Sequence, residues 1–254
     1  MPEIALTQGT LHYRDEGSGP VVVFVHGLLV NARVWSPVIE QVAGRARCIA
    51  PDLPLGSHPE AMNPDSDLSP PGVAALIAQL MDRLDLHDVT LVGNDTGGAL
   101  CQIVCAHHPE RVGALVLINC DAFENFPPKA FKPLVKFLAR VPGAVAGLEL
   151  GGRIRQVRQG AMSLAPLTVD PIDDELLRSW ISPLRDRGVR HDLVSFLRGL
   201  SPRYTLEAAE RLKETLPNAR IERVENARTF VQLDAPARVG ELIAQATAAT
   251  LAAA

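Results

Sequence analysis

The chain has 254 residues, 47% of them hydrophobic and 21% charged, with a formal net charge of -4. That length accommodates one large domain with a well-buried core, and the balance of charge offers no basic surface of the kind nucleic acid requires. The longest strand-like apolar runs, Val21 to Val25 and Ala114 to Ile118, are too short to span a bilayer, and the start MPEIAL lacks a basic-then-apolar leader, so a cytoplasmic location with no membrane partner is expected.

In chain order, Ile4 to Leu6 and Leu11 to Arg14 predict an opening hairpin, and Val21 to Val25 a buried strand. Ala32 to Val42 reads as a helix and Arg47 to Ala50 as the next strand, followed by the turn-rich segment PDLPLGSHPE. Gly72 to Leu84 carries Val73, Leu76, Ile77, Leu80 and Leu84 at helical spacing, which buries one stripe against a sheet. Val89 to Val92 and Ala114 to Ile118 are two further buried strands, with a helix over Gly98 to His107 between them. This alternation predicts an α/β fold, a mostly parallel sheet with helices on both faces.

After Ile118 the pattern changes. Helical stretches and proline breaks run from Asp121 to Leu200 without a strand, which predicts a helical cap over residues 121–200 inserted into a core formed by 1–120 and 201–254. Strand-like sequence returns only at Arg220 to Val224, and a helix over Pro236 to Ala244 leads into the tail QATAATLAAA, expected to be a frayed helix end. The cysteines, Cys48, Cys101, Cys105 and Cys120, form no CxxC pair, so neither a zinc site nor a disulfide framework is indicated. Cys101 and Cys105 share a helix face, a spacing that suits packing better than metal.

The most informative stretch is VTLVGNDTGGALCQ, in which a buried strand enters Gly93-Asn94-Asp95-Thr96-Gly97 and leaves through an apolar helix. Glycines two before and two after a central residue suit a tight strand-to-helix turn that strains that residue and exposes its side chain. Two roles are open to Asp95: an exposed reactive carboxylate, or a helix N-cap. In either case the helix dipole and amides are expected to hold it charged. His26 reads as a structural hydrogen-bonding residue or as a direct participant. Trp35 and Trp180 belong either to a pocket lining or to the core.

With VVVFVHGLL upstream, the DLP turn at Asp52, the elbow at Asp95, HPERV at His108 and LPNARIERVENA near the end, the chain resembles the α/β-hydrolase superfamily over nearly its whole length. The aspartate in the elbow resembles haloalkane dehalogenases and epoxide hydrolases. The resemblance implies Asp95 as nucleophile and the backbone N–H groups of Leu28 and Thr96 as an oxyanion hole. It also implies attack on an sp³ carbon to give an alkyl ester that an activated water hydrolyses. A small, mostly apolar substrate is implied, and no cofactor or metal.

The chain departs from that pattern after the cap. LRGLSPRYTLEAAERL runs directly into KETLPNAR, so a strand–helix unit of the relatives, with its usual acid, is missing, and Arg220 to Val224 is expected to move into the vacated slot. ENARTFVQLDAP places Thr229 where relatives have the catalytic histidine. A threonine hydroxyl is no base near neutral pH, and losing a general base costs on the order of 10²–10⁴-fold in rate. Asp121 lies where some dehalogenases keep their acid, and is either that acid or a turn or cap residue. His191, in RDRGVRHDL, is either a substitute base or part of a solvated helix face. Leu28 replaces the dehalogenase asparagine and Thr96 the halide-binding tryptophan, while Tyr13 and Tyr204 do not form the tyrosine pair of epoxide hydrolase caps.

The expected function is a hydrolase-like enzyme using Asp95 as nucleophile or base. The alternatives are an impaired or non-catalytic binding protein of the same fold, and a cofactor-free lyase or isomerase using the aspartate and the oxyanion hole. Neither the substrate's identity nor the oligomeric state is written in the sequence.

Overall fold

The computed structural model describes residues 1–161, 163–215, 222 and 224–253. In chain order the elements are β1 (Glu3–Leu6), β2 (Gly9–Glu16), β3 (Val21–Val25), a 3-10 turn at Ala32–Trp35 running into α1 (Ser36–Val42), β4 (Arg47–Pro51), α2 (Pro70–Arg83), β5 (Val89–Asp95), α3 (Thr96–His107) and β6 (Val112–Cys120). Then follow α4 (Lys132–Arg140), α5 (Ala144–Gly152), α6 (Arg155–Arg158), α7 (Asp174–Ile181), α8 (Arg187–Gly199), α9 (Pro202–Thr215), α10 (Val231–Asp234) and α11 (Pro236–Ala253).

The strands form a 6-stranded sheet in the order β1-β2-β4-β3-β5-β6. The first hairpin pairs antiparallel and β2 pairs antiparallel with β4, while β4, β3, β5 and β6 run parallel. β3 explains why the sheet must be covered on both sides. Its side chains alternate between faces, and Val23 and Val25 enter one core with α2 and α3 while Val22 and Phe24 enter another with α1 and α11. An uninterrupted apolar run is the signature of a parallel strand buried on both faces.

α2 starts where Ser69 accepts from the Gly72 amide and prolines occupy its first turn, both favourable at a helix N-terminus. α9 packs on α3, and α11 on α1. The tail expected to fray is helical through Ala253, and Thr247 within it is buried and 3.0 Å from the Thr90 hydroxyl of β5. Thr247 thus ties α11 to β5 from within that segment.

From residue 121 to 200 the described residues are helices and connections without a strand. Leu184, Val189, Leu193 and Leu197 there join Leu29 from the loop after β3 in a third apolar cluster. Among the described residues no strand follows β6, whose Leu117 is 41% exposed. Of the strand expected at Arg220 to Val224, residues Arg220, Ile221 and Arg223 lie outside the described residues; Glu222 and Val224 belong to no strand. Trp35 and Trp180 are core: both are fully buried, Trp35 against Phe24 with ring centroids 5.2 Å apart and Trp180 against Phe230 at 5.7 Å. Tyr13 lies on β2 and Tyr204 on α9, where the Arg203 guanidinium sits over its ring.

Candidate active site

Asp95 is the last residue of β5 and the residue before α3, with φ 54° and ψ -131°. A non-glycine residue at positive φ is strained, and the close packing beneath it explains why the turn keeps that shape. A β-carbon added at Gly97 would lie 2.3 Å from the Val25 carbonyl oxygen, so only glycine lets α3 begin that close to β3. Asp95 caps no helix through its side chain. Its Oδ2 instead accepts the Leu28 amide at 3.1 Å, across the sheet edge from the turn after β3.

That contact also needs Gly27, where an added β-carbon would come within 2.3 Å of Oδ2. The Thr96 amide and hydroxyl favour the charged carboxylate as well, yet burial outweighs them and raises the Asp95 carboxyl above the usual carboxylate range. The expectation that dipole and amides hold it down is therefore corrected: desolvation is the larger effect here. Leu28 and Thr96 thus both stand at the Asp95 carboxyl.

Asp121 also stands at this site. It follows β6, is buried, donates its amide to the Asp95 carbonyl oxygen at 3.2 Å, and accepts the Thr96 hydroxyl at 3.4 Å through Oδ2. Burial, and then the Asp95 charge, push its carboxyl up to about 8. Two neighbouring carboxyls cannot both ionise freely, and burial raises both of them.

Thr229 lies in a half-buried turn before α10, and its carbonyl oxygen accepts the Asn94 side-chain amide at 2.9 Å. That turn therefore reaches the base of the elbow. His26 is pinned, with Nδ1 2.8 Å from the Gly27 carbonyl and Nε2 accepting the Leu53 amide at 2.8 Å. Burial lowers its pKa to about 4, so it is neutral and structural. His191 is exposed on α8.

Sequence reasoning missed the polar frame below Asp95. Asn94 is buried, donates to the carbonyls of Ile118 at 2.8 Å and Thr229, and accepts from Gln232 at 2.9 Å. Gln102 donates to the Asp121 carbonyl at 2.9 Å. The available signal was an amide side chain inside an apolar strand and another on an apolar helix, since buried polar groups have partners. No group of three His, Cys, Asp or Glu side chains suited to a metal occurs among the described residues. No helix among them is long and apolar enough to cross a membrane.

A family model described as the alpha/beta hydrolase fold matches residues 20–146. A haloalkane dehalogenase of Mesorhizobium japonicum is 36% identical over 118 residues, 46% of this chain and 38% of that protein. Haloalkane dehalogenase 2 of Mycobacterium tuberculosis is 30% identical over 116 residues, 44% of this chain and 39% of that protein. The match thus spans about two fifths of these curated relatives. Among solved structures, an ancestral haloalkane dehalogenase superposes with TM-score 0.78 at 22% identity, covering 99% of this chain and 100% of the other. An epoxide hydrolase superposes with TM-score 0.79 at 19% identity, covering 97% and 98%. At these identities the structures speak for the fold.

Proposed function

We propose, for a chain that belongs to the α/β-hydrolase fold family, a hydrolase that acts on small apolar electrophiles through Asp95. The carrying observation is the Leu28 amide on Asp95 Oδ2, which fixes the carboxylate by one oxygen and orients the other as nucleophile. That oxygen attacks an sp³ carbon bearing a halide or an epoxide oxygen, the leaving atom departs with the bonding pair, and an Asp95 alkyl ester results. The relatives named as haloalkane dehalogenases support this chemistry. Leu28 and Thr96 amides then serve as the oxyanion hole when water adds to the ester carbonyl.

Residues 1–120 and 201–254 form the core and 121–200 the cap in this reading, with the substrate between them. The free cysteines fit a reducing compartment such as the cytoplasm. Exposure to haloalkanes and epoxides, followed by intact mass of wild type and Asp95→Asn, tests the reading: an adduct and product in wild type alone support it.

A second reading is favoured by the raised carboxyl of Asp121 beside Asp95. With Asp95 as base and Asp121 as acid, the site is equipped for a lyase or isomerase reaction, in which no water need be activated. Deuterium exchange from solvent into a carbonyl substrate, without hydrolysis, would select it. Saturable thermal stabilisation by ligands without any product would instead select a binding protein.

A further inference from the structure

α4 and the 3-10 turn before it (Lys129–Phe131) carry two apolar faces. Val135, Leu138 and Ala139 are buried in the third apolar cluster, where α4 packs on α8. Arg198 of α8 adds a hydrogen bond from Nε to the Ala139 carbonyl at 3.0 Å. Those contacts occupy the inner face. Phe131, Leu134, Phe137 and Val141 follow one another at three- and four-residue steps on a different face, and each is 44–51% exposed. The phenylalanines divide in the same way: Phe24, Phe126, Phe196 and Phe230 are buried, while the exposed Phe123, Phe131 and Phe137 all fall within residues 123–137. Exposed apolar side chains gathered in one place mark an interaction surface, whereas scattered ones do not.

Charge says what the surface meets. Three of the chain's four lysines, Lys129, Lys132 and Lys136, stand in this stretch with Arg140, and no acidic residue occurs from Asn125 to Leu148. The sign is opposite to that of the whole chain, whose net charge is -4. None of these four cations forms an ion pair among the described residues, whereas Arg153, Arg158, Arg178 and Arg185 further along are all paired with carboxylates. Protein–protein interfaces are depleted in lysine. An anionic bilayer surface suits it: apolar side chains enter the boundary between headgroups and acyl chains, and the long lysine stems keep their ammonium groups among the phosphates. A helix lying in that plane needs no run long enough to span the bilayer.

We infer that the outer face of α4 docks this protein on an anionic phospholipid surface. Phe131, Leu134, Phe137 and Val141 enter the lipid, and Lys129, Lys132, Lys136 and Arg140 meet its phosphates. The inner face is already packed on α8, so α4 is ordered before contact and docking carries no cost of folding it. Leu29, next to the Leu28 that holds Asp95, packs in the same cluster as the inner face, which connects the docked helix to the candidate site. The inference is independent of the role of Asp95, because docking is measured without turnover.

The test is co-sedimentation of the full chain with phosphatidylcholine vesicles, plain or containing about 30% phosphatidylserine. Wild type should sediment with the anionic vesicles, partition at least about 10-fold more weakly onto the neutral ones, and be released as salt rises from about 0.1 M to about 0.5 M. Each lost cation should weaken partition about 5-fold, so Lys129→Gln, Lys136→Gln and Arg140→Gln combined should lower it about 10²-fold. Leu134→Ser with Phe137→Ser should lower it about 10-fold or more. These side chains are exposed, so both variants should keep the wild-type Tm; if one loses its unfolding transition, the lipid and salt dependence of wild type decides. Wild type left in the supernatant, equal binding to both vesicle types, or either folded variant binding like wild type overturns the inference. So does a lipid-free wild-type dimer, by light scattering, that Leu134→Ser with Phe137→Ser turns into a monomer: a second copy would then cover the face.

Discussion

Leu28 and Asp95, 67 residues apart in sequence, meet at a single oxygen atom, the Leu28 amide 3.1 Å from Asp95 Oδ2. The contact ties the turn after β3 to the turn after β5, and it exists because neighbouring parallel strands bring both turns to the same edge of the sheet. Strain at Asp95, with φ 54°, is held by that tie and by the packing of α3 beneath it.

Gly27→Ala tests how tightly the geometry is set. A methyl group there would stand 2.3 Å from Oδ2, so the carboxylate must rotate off the Leu28 amide. Activity on haloalkanes or epoxides should fall by about 10²-fold, as expected for a reacting group misplaced by about 1 Å. Circular dichroism should remain that of the folded chain.

Asn94→Ala should lower stability without touching any reacting atom. It strips donors from the half-buried carbonyls of Ile118 and Thr229 and the acceptor of the buried Gln232 amide. Leaving a buried group unpaired costs about 1–3 kcal/mol, and the two carbonyls can turn to water, so a loss of about 1–3 kcal/mol is expected in urea unfolding. The turn at Thr229 should become more accessible to protease.

Asp121 makes stability depend on pH. Its carboxyl binds a proton more tightly in the folded chain, at about 8, than in the unfolded chain, at about 3.9. The stabilisation is therefore complete below the unfolded value and is lost as pH rises through about 8. Wild type should lose a few kcal/mol relative to Asp121→Asn between about pH 4 and pH 8, read from urea unfolding at each pH. A flat difference across that window would contradict the raised carboxyl.

Thr247→Val removes the partner of the fully buried Thr90 hydroxyl. A loss of about 1–3 kcal/mol is expected, corresponding to a fall in Tm of about 2–4 °C per kcal/mol for a chain of this size. A variant with unchanged Tm would make the tail a bystander.

Local pattern carried most of the fold into the sequence. β3 and α2 are legible because apolar runs and helical spacing state their burial directly, and the elbow because two glycines bracket Asp95. The tail was not legible, because alanine-rich sequence has no strong amphipathic signal and only Thr247 reveals its contact. At the site, the strand-to-helix turn at Asp95 and Thr96 was readable from its two glycines. The balance of desolvation against amides at Asp95 was not, since it depends on what packs around the carboxyl. Asn94, Gln102 and Gln232 escaped for a related reason: their partners come from β6, the turn at Thr229 and α10, far away in sequence.

The most direct test of Asp95 as nucleophile is a single turnover of excess enzyme with bromobutane in oxygen-18 water, with mass analysis of both the alcohol and the peptide containing Asp95. Attack by the carboxylate predicts that the alcohol carries ordinary oxygen and that oxygen-18 appears in Asp95. Oxygen-18 in the alcohol from the first turnover, with none in Asp95, would contradict the account.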